Sequence, residues 1–330
     1  MDLEEPTLHL SSKISNISLF VVSIAISIIV LIGSSESFSH SRVYNDLEFY
    51  TVKKGASFNS ILEELTVKPA NKFLLKVYLR VNDINMAQAG HYHLKNKSWK
   101  KFILSVNRGD VVIYKLEIPA GKNLFEIKQI LSESNLNNDC SNFKCLDDRY
   151  DFVEGTLKPD TYFYKYSDSL SKILQRSQDE FFKSSLNLWE KKKPNFPLTT
   201  LADALILASI VEKEAGNEEE KSIIAGVFLH RLSIGMKLQA DPTIIYGLMP
   251  DFNGDITKAN LRDKNNPYNT YQISALPPTP ISMISQSSLE AVILGMKNDY
   301  LYFVAKGDGT HKFSKTYKQH LEAVKKYQLN

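Results

Sequence analysis

Two carboxylates stand two residues apart at the end of an apolar segment, Glu212 and Glu214 in the run Val211-Glu212-Lys213-Glu214-Ala215-Gly216. A carboxyl group set against apolar side chains resists ionisation, and one that keeps its proton near neutral pH suits general acid catalysis. Two positions on a helix are roughly 200° of rotation, so the acids face opposite sides and cannot share one role. Glu214 falls beneath Leu207, Ile210 and Val211, whereas Glu212 falls beneath Leu205, Ala208 and Ser209, the smaller and more polar side. Both sit at the negative end of the helix dipole, and the more apolar wall disfavours charge further at Glu214. Spacing alone leaves a second reading open, in which the run is a solvated helix end closed by Gly216 as C-cap.

The helix that must position these groups has a readable start. Pro194 and Pro197 break the preceding chain, Thr200 can cap the first turn, and Asp203 follows in capping-box spacing. From Ala204 to Val211 only Ser209 is polar, which predicts burial on nearly every face. A second long helix is expected from Leu170 to Lys192, ahead of the one from Thr200 to Ala215.

Downstream come short clusters of aromatic and amide residues. They are Val227 to Leu232, Gly235 to Gly247 with Gln239, Asp241, Thr243 and Tyr246, Pro267-Tyr268-Asn269-Thr270-Tyr271, Leu276 to Ile281, and Tyr300 to Val304 followed by His311 and Phe313. In this order they resemble the endolytic murein transglycosylases of the YceG-like family (MltG), from about residue 110 to the C-terminus and more loosely from about residue 45. The family's catalytic acid is the second Glu of a Glu-Lys-Glu run, which corresponds to Glu214 here.

That resemblance implies cleavage of the bond between N-acetylmuramic acid and N-acetylglucosamine in nascent peptidoglycan glycan strands, within the strand and without water, with a 1,6-anhydro ring as product. It also implies a role in ending glycan elongation. Glu214 would protonate the leaving oxygen and then take the proton of the attacking C6 hydroxyl. The acetamido group can stabilise the cation, so a second carboxylate is unnecessary and Asp241 is better suited to orienting a hydroxyl. Asp241 precedes Pro242 and is expected to be extended, with an Asp-Pro-Thr turn cap as its alternative. Gln239 and Asn269 offer amides for acetamido groups, and Tyr246, Tyr268 and Tyr271 offer flat faces for sugar rings. Thr243, Thr270 and His311 complete the candidate substrate-binding set. His311, after Gly307-Asp308-Gly309-Thr310, would either line the cleft or order a hairpin through its ring. No His-Glu-x-x-His spacing joins His230, His311 or His320, so no metal or other cofactor is expected. Two rival functions remain: a non-catalytic peptidoglycan-binding division scaffold, and a lysozyme-type hydrolase using Asp241.

Ile14 to Ser35 carries no charge over 22 residues, enough to cross a hydrocarbon core of about 30 Å. An uncleaved single-pass anchor is the favoured reading, since the apolar run exceeds an ordinary signal core and the family is anchored this way. A cleaved signal peptide with Gly33-Ser34-Ser35 as the processing region is its alternative. The implied substrate lies outside the inner (plasma) membrane, which places a tail of residues 1–13 in the cytoplasm and the bulk of the chain in the periplasm. Peptidoglycan synthases are possible partners. Forty basic against 37 acidic residues, a net charge of +3, is too balanced to indicate nucleic acid. Cys140 and Cys145 can pair in an oxidising compartment, or remain two thiols.

The expected fold class is α+β, with a transmembrane helix over 14–35, a LysM-like subdomain over 36–115 and a YceG-like catalytic domain over 116–330. An internal echo supports order in the first soluble part. Val52 to Phe58 leading into Ile61 and Leu65 matches Ile118 to Leu124 leading into Ile127 and Leu131, each a strand end, a glycine turn and a capped helix. Residues Glu154 to Tyr162 also match the family and are expected as an extended loop beside the cleft. His230 replaces a family asparagine, Ala275 a glycine, and Ile284-Ser285-Gln286 an Asn-Pro-Gly. A loop needing positive φ at Ala275 would be strained.

Overall fold

Two units partition the chain, residues 1–114 and 115–330. The computed structural model describes residues 8–43, 46–65, 68–252, 254–295 and 297–329. Residues 1–7 of the expected cytoplasmic tail lie outside the described residues.

The first unit begins with helix α1 (Leu8–Ser39), in which Ile17–Ser39 is 23 residues long with a mean hydropathy of 2.7. This helix continues past the expected end at Ser35, and its last turns join the fold. Ser35 and Ser39 are buried, Phe38 packs against the unit's core, and Lys100 bridges to Glu36 at 2.5 Å. There follow β1 (Phe49–Val52), α2 (Phe58–Glu64), α3 (Pro69–Val81), β2 (Gly90–His93) and α4 (Trp99–Arg108). β1 and β2 pair antiparallel from Phe49 opposite His93 to Val52 opposite Gly90. Alternation along β1 turns Tyr50 and Val52 inward, where they meet Ile61, Leu62, Leu75, Tyr78, Tyr92 and Phe102.

The boundary falls within β3 (Ile113–Ile118), and the second unit continues with α5 (Leu124–Ser132), a short 3-10 turn (Ser141–Phe143), β4 (Asp160–Lys165) and α6 (Leu170–Trp189). β3 pairs with β4, and Cys140 is disulfide-bonded to Cys145. The helical remainder is α7 (Leu201–Glu214), α8 (Lys221–Ser233), α9 (Asp241–Gly247), α10 (Lys258–Arg262) and α11 (Gln286–Leu294). A hairpin of β5 (Tyr302–Ala305) and β6 (His311–Ser314), then α12 (Tyr317–Tyr327), close the chain. The mixture of helix and strand is the expected α+β class, with α6 ending at Trp189, three residues before the expected Lys192.

The echo seen in the sequence is one joint used four times. A strand ends, a residue in the left-handed region turns the chain, and two residues later a side chain caps a helix. The pairs are Gly55 and Ser57, Asn96 and Ser98, Gly121 and Asn123, and Ser167 and Ser169, at φ of 81°, 62°, 75° and 62°. Two of the four use asparagine or serine where glycine would be easier, which is why sequence matching caught only the glycine pair.

Candidate active site

Helix α7 forms the centre of the second unit's core. Thr200 and Asp203 close a capping box, with the Asp203 amide on Thr200 Oγ1 at 3.1 Å and the Thr200 amide on Asp203 Oδ2 at 3.2 Å. Every residue from Ala204 to Val211 is buried, so α7 cannot slide or turn without opening its surroundings. Its end is not closed by Gly216. Ala215 is the C-cap, and Gly216 is required instead because the Gly309 carbonyl oxygen of the β5–β6 turn would lie 2.4 Å from a Cβ there.

The two acids of α7 face different neighbours, as helical phase dictates. On one side Ser209 Oγ accepts from the Ile281 amide at 2.9 Å. One turn on, Glu212 accepts from the Ser285 amide at 3.1 Å, from Ser285 Oγ, and from Ser288 Oγ at 2.6 Å, with Lys221 at 3.6 Å. Glu212 is thus committed to holding the start of α11. The sequence marked this side as more polar but showed none of these partners.

On the other side, Glu214 has no hydrogen bond from any described residue. Burial pushes its carboxyl up to about 7, the negative charge of Asp241 adds to the shift, and Arg231 opposes it. Asp241 accepts from the Tyr271 hydroxyl at 2.7 Å. That hydroxyl is held protonated, raised by its own burial and by the Asp241 bond. Arg231 is buried beneath this group, its Nε on the Leu301 carbonyl at 2.7 Å and its Nη1 on the Leu238 carbonyl at 2.5 Å. Glu214, Asp241, Tyr271 and Arg231 therefore form one electrostatic group, built from α7, α8, the start of α9 and the 263–280 segment. Asp241 is counted as the first residue of α9 and Ala240 before it is the extended one, a one-residue shift from the expectation based on Pro242.

A second carboxyl is nearly as perturbed. Glu154, 5% exposed, accepts from the Leu124 amide at 3.1 Å, the Gly155 amide at 3.2 Å and the Tyr246 hydroxyl at 2.9 Å. Burial pushes it up to about 7 against those three donors. It lies at the N-terminus of α5, where the helix dipole and a free amide favour an acceptor. Gly155 is fixed twice over, by φ of 74° and by Pro280 Cβ and the Ser282 carbonyl, at 2.6 and 2.9 Å from a Cβ placed there. The 154–155 loop is thereby seated on the segment that Ser209 holds. Sequence reading placed Glu154 in a loop beside the cleft but not among the site residues, and its position before Gly155 was the available signal.

Of the remaining candidates, Tyr246 and Tyr268 come together, ring centroids 4.8 Å apart and edge to face, with the Tyr268 hydroxyl 2.8 Å from Thr279 Oγ1. Gln239 is exposed beside Asp241 and adopts φ of 52°, a left-handed geometry uncommon outside glycine, held by its amide on the Thr270 carbonyl at 3.2 Å. Thr243, Asn269 and Thr270 are fully buried. Thr243 Oγ1 donates to the Ala240 carbonyl at 2.7 Å and lies 2.9 Å from Thr270 Oγ1. Asn269 Nδ2 donates to the Asp263 and Asn260 carbonyls at 2.7 and 3.0 Å, and its Oδ1 accepts from the Tyr271 amide. These three shape the loops that carry Gln239, Asp241 and Tyr271. His311 Nδ1 lies 2.7 Å from Glu220 Oε2, which ties β6 to the start of α8. Ala275 does not adopt a positive φ, so the glycine-to-alanine departure introduces no strain there.

Comparison with known proteins completes the description. The model of the YceG-like family matches residues 50–326. An endolytic murein transglycosylase of Bacillus subtilis (strain 168) is 37% identical over 182 residues, covering 53% of this chain and 48% of that protein. One of Streptococcus pneumoniae (strain ATCC BAA-255 / R6) is 35% identical over 158 residues, covering 46% of this chain and 28% of that protein. The chain thus spans less than half the length of these curated relatives. A crystal structure of a yceG-like protein from Listeria monocytogenes superposes with a TM-score of 0.53 at 27% identity, covering 83% of this chain and 98% of that one.

Proposed function

We propose, since this chain belongs to the YceG-like family, that it is a peptidoglycan lytic transglycosylase with Glu214 as its single acid and base. The carrying observation is that Glu214 lies at the end of a buried helix, without a hydrogen bond from any described residue and with its carboxyl pushed up to about 7 by burial and by Asp241. A group at that value is populated in both forms near neutral pH, which a residue that must first give and then take a proton requires.

The proposed reaction has two halves. Protonated Glu214 donates to the glycosidic oxygen between N-acetylmuramic acid and N-acetylglucosamine, and the C1–O bond breaks with positive charge developing on the muramic ring. The carboxylate then removes the proton of that sugar's C6 hydroxyl as its oxygen bonds to C1, closing the 1,6-anhydro ring and restoring the acid. Asp241, occupied by Tyr271, contributes negative charge that raises Glu214 and favours the cation. Tyr246, anchored by Glu154, and Tyr268 provide ring faces, while exposed Gln239 offers an amide to an acetamido group. Thr243, Asn269 and Thr270 support these loops from beneath, and His311 fixes the neighbouring hairpin.

The further reading is of an endolytic enzyme that ends glycan elongation, anchored in the inner membrane by α1 with the remaining chain in the periplasm and with synthases as possible partners. Apolar α1 supports the anchor, and the relatives' name, endolytic murein transglycosylase, supports cleavage within the strand. The strand-helix-helix-strand order of β1, α2, α3 and β2 supports a LysM-like glycan-binding role for residues 36–115, ahead of a catalytic domain over 116–330.

The deciding experiment incubates the full chain in detergent with purified glycan strands and identifies the muramic terminus. Anhydro-muramic products that disappear in Glu214→Gln are expected. Reducing-end muramic acid would make it a hydrolase, and no product from the folded wild-type protein would make it a scaffold.

A further inference from the structure

Helix α3 leans on the apolar helix rather than away from it. Its Leu74 shares a groove of about 650 Å³ with Val30, Gly33, Ser34 and Phe38 of α1. Those positions belong to the apolar stretch, and about 20 residues are needed to cross a hydrocarbon core of about 30 Å. Whether the crossing is taken as residues 14–33 or 17–36, Val30 and Gly33 fall inside it and Ser37, Phe38 and Ser41 of the same lining fall beyond it, so the groove that Leu74 lines straddles the hydrocarbon edge.

The outward face of α3 has a matching chemistry. Phe73 is 56% exposed and Val81 51% exposed, two large apolar groups presented outward by the helix that packs on α1. Lys76 and Arg80, one helical turn apart, are exposed on the arc beside Phe73. Lys72 is occupied by Glu63 at 2.6 Å, and the acid of α1 nearby, Glu36, is occupied by Lys100. Neither of the two cations that flank the apolar side chains makes an ion-pair contact within 4.0 Å among the described residues, although Lys76 adds to the pull of Lys72 on the exposed Glu63 carboxylate. A helix with exposed bulky apolar groups, exposed basic groups beside them and a neighbour crossing the bilayer has the composition of an interfacial helix.

We infer that α3 is a membrane-surface helix that inserts Phe73 and Val81 into the interface, with Lys76 and Arg80 on the headgroups of anionic phospholipid. This rests on the reading of α1 as a membrane anchor. The lipid contact would seat the first unit directly on the bilayer, with α1 and α3 as two fixed points.

Cys140 and Cys145 are joined, so a cysteine introduced elsewhere can be spin-labelled alone. The full chain is reconstituted in nanodiscs of phosphatidylcholine with equal phosphatidylglycerol, carrying one of Val22→Cys, Phe73→Cys, Val81→Cys or, as the water reference, Lys326→Cys. Collision with oxygen, which concentrates in lipid, is compared with collision with a water-soluble nickel chelate. Expected are Val22, Phe73 and Val81 labels favouring oxygen several-fold over the Lys326 label. Adding Lys76→Glu and Arg80→Glu to Phe73→Cys should weaken that preference, as should omitting phosphatidylglycerol. Nickel-exposed Phe73 and Val81 labels with a lipid-exposed Val22 label would overturn the inference and leave the anchor standing. A nickel-exposed Val22 label would overturn both.

Discussion

Glu214 and Glu212 show how little at the scale of the residue can be carried by type alone. Their opposite directions follow from two residues of helix, and that was legible; their partners were not. Ser285 is 73 residues from Glu212 in sequence, and Tyr246 is 92 from Glu154, so only tertiary packing reveals which acid is tied and which is free. Because Glu214 is raised by burial and by Asp241, the rate should fall as pH rises through about 7. In Asp241→Asn that alkaline limb should move to lower pH, read from the profile of kcat/KM, because a charge that raises Glu214 has gone. Glu214→Gln should lower the rate by about 10²–10⁴ or more. The same substitution has a stability signature. A carboxyl whose folded pKa exceeds its unfolded value of 4.5 favours the native state below about 4.5, and that support is lost as pH rises through about 7. Glu214→Gln should therefore gain about 1–3 kcal/mol over wild type at pH 8 relative to pH 5, measured by urea unfolding at both values. No difference between the two pH values would refute the burial argument.

Elements were legible where the chain signals locally. The Thr200–Asp203 capping box, the apolar length of α7 and two glycine turns were all read from spacing, whereas the joints at Asn96 and Ser167 were hidden by residues that seldom turn left-handed. Spacing offers Gly216 as a cap in the alternative reading, because helices commonly end on glycine, yet its reason is the Gly309 carbonyl brought from the hairpin. Gly216→Ala should place a methyl group against that backbone oxygen and destabilise the second unit by about 1–3 kcal/mol, with activity lost in step as the hairpin is displaced. An unchanged melting temperature would show that the turn can move aside. The disulfide is a smaller device. With a sequence separation of 5, closing the loop restricts the unfolded chain by only about 2 kcal/mol, so reduction should lower the melting temperature without abolishing folding.

At the scale of the whole molecule, the apolar helix and the first soluble unit are one structure rather than two parts joined end to end. Ser35 and Ser39 are buried, Phe38 packs on the core and Glu36 binds Lys100. A soluble chain starting at Leu31 should therefore melt above one starting at Arg42, the shorter chain losing about 1–3 kcal/mol of stability from the first unit. Equal melting temperatures would mean that the helix end is only a lid on an already sufficient core. Sequence reading ended the span at Ser35 because charge at Glu36 ended the apolar run, and it had no means of seeing that the helix carries on into the fold.

That continuity changes what kind of attachment α1 provides. A disordered stalk would let a domain sweep a volume whose radius grows with the square root of its length. A helix that runs unbroken into the core gives the first unit no such search: in a bilayer it would rotate and tilt with α1 and drift in the plane of the lipid. Encounter with a polymer at that surface would then be governed by lateral diffusion and by what is delivered to a fixed height.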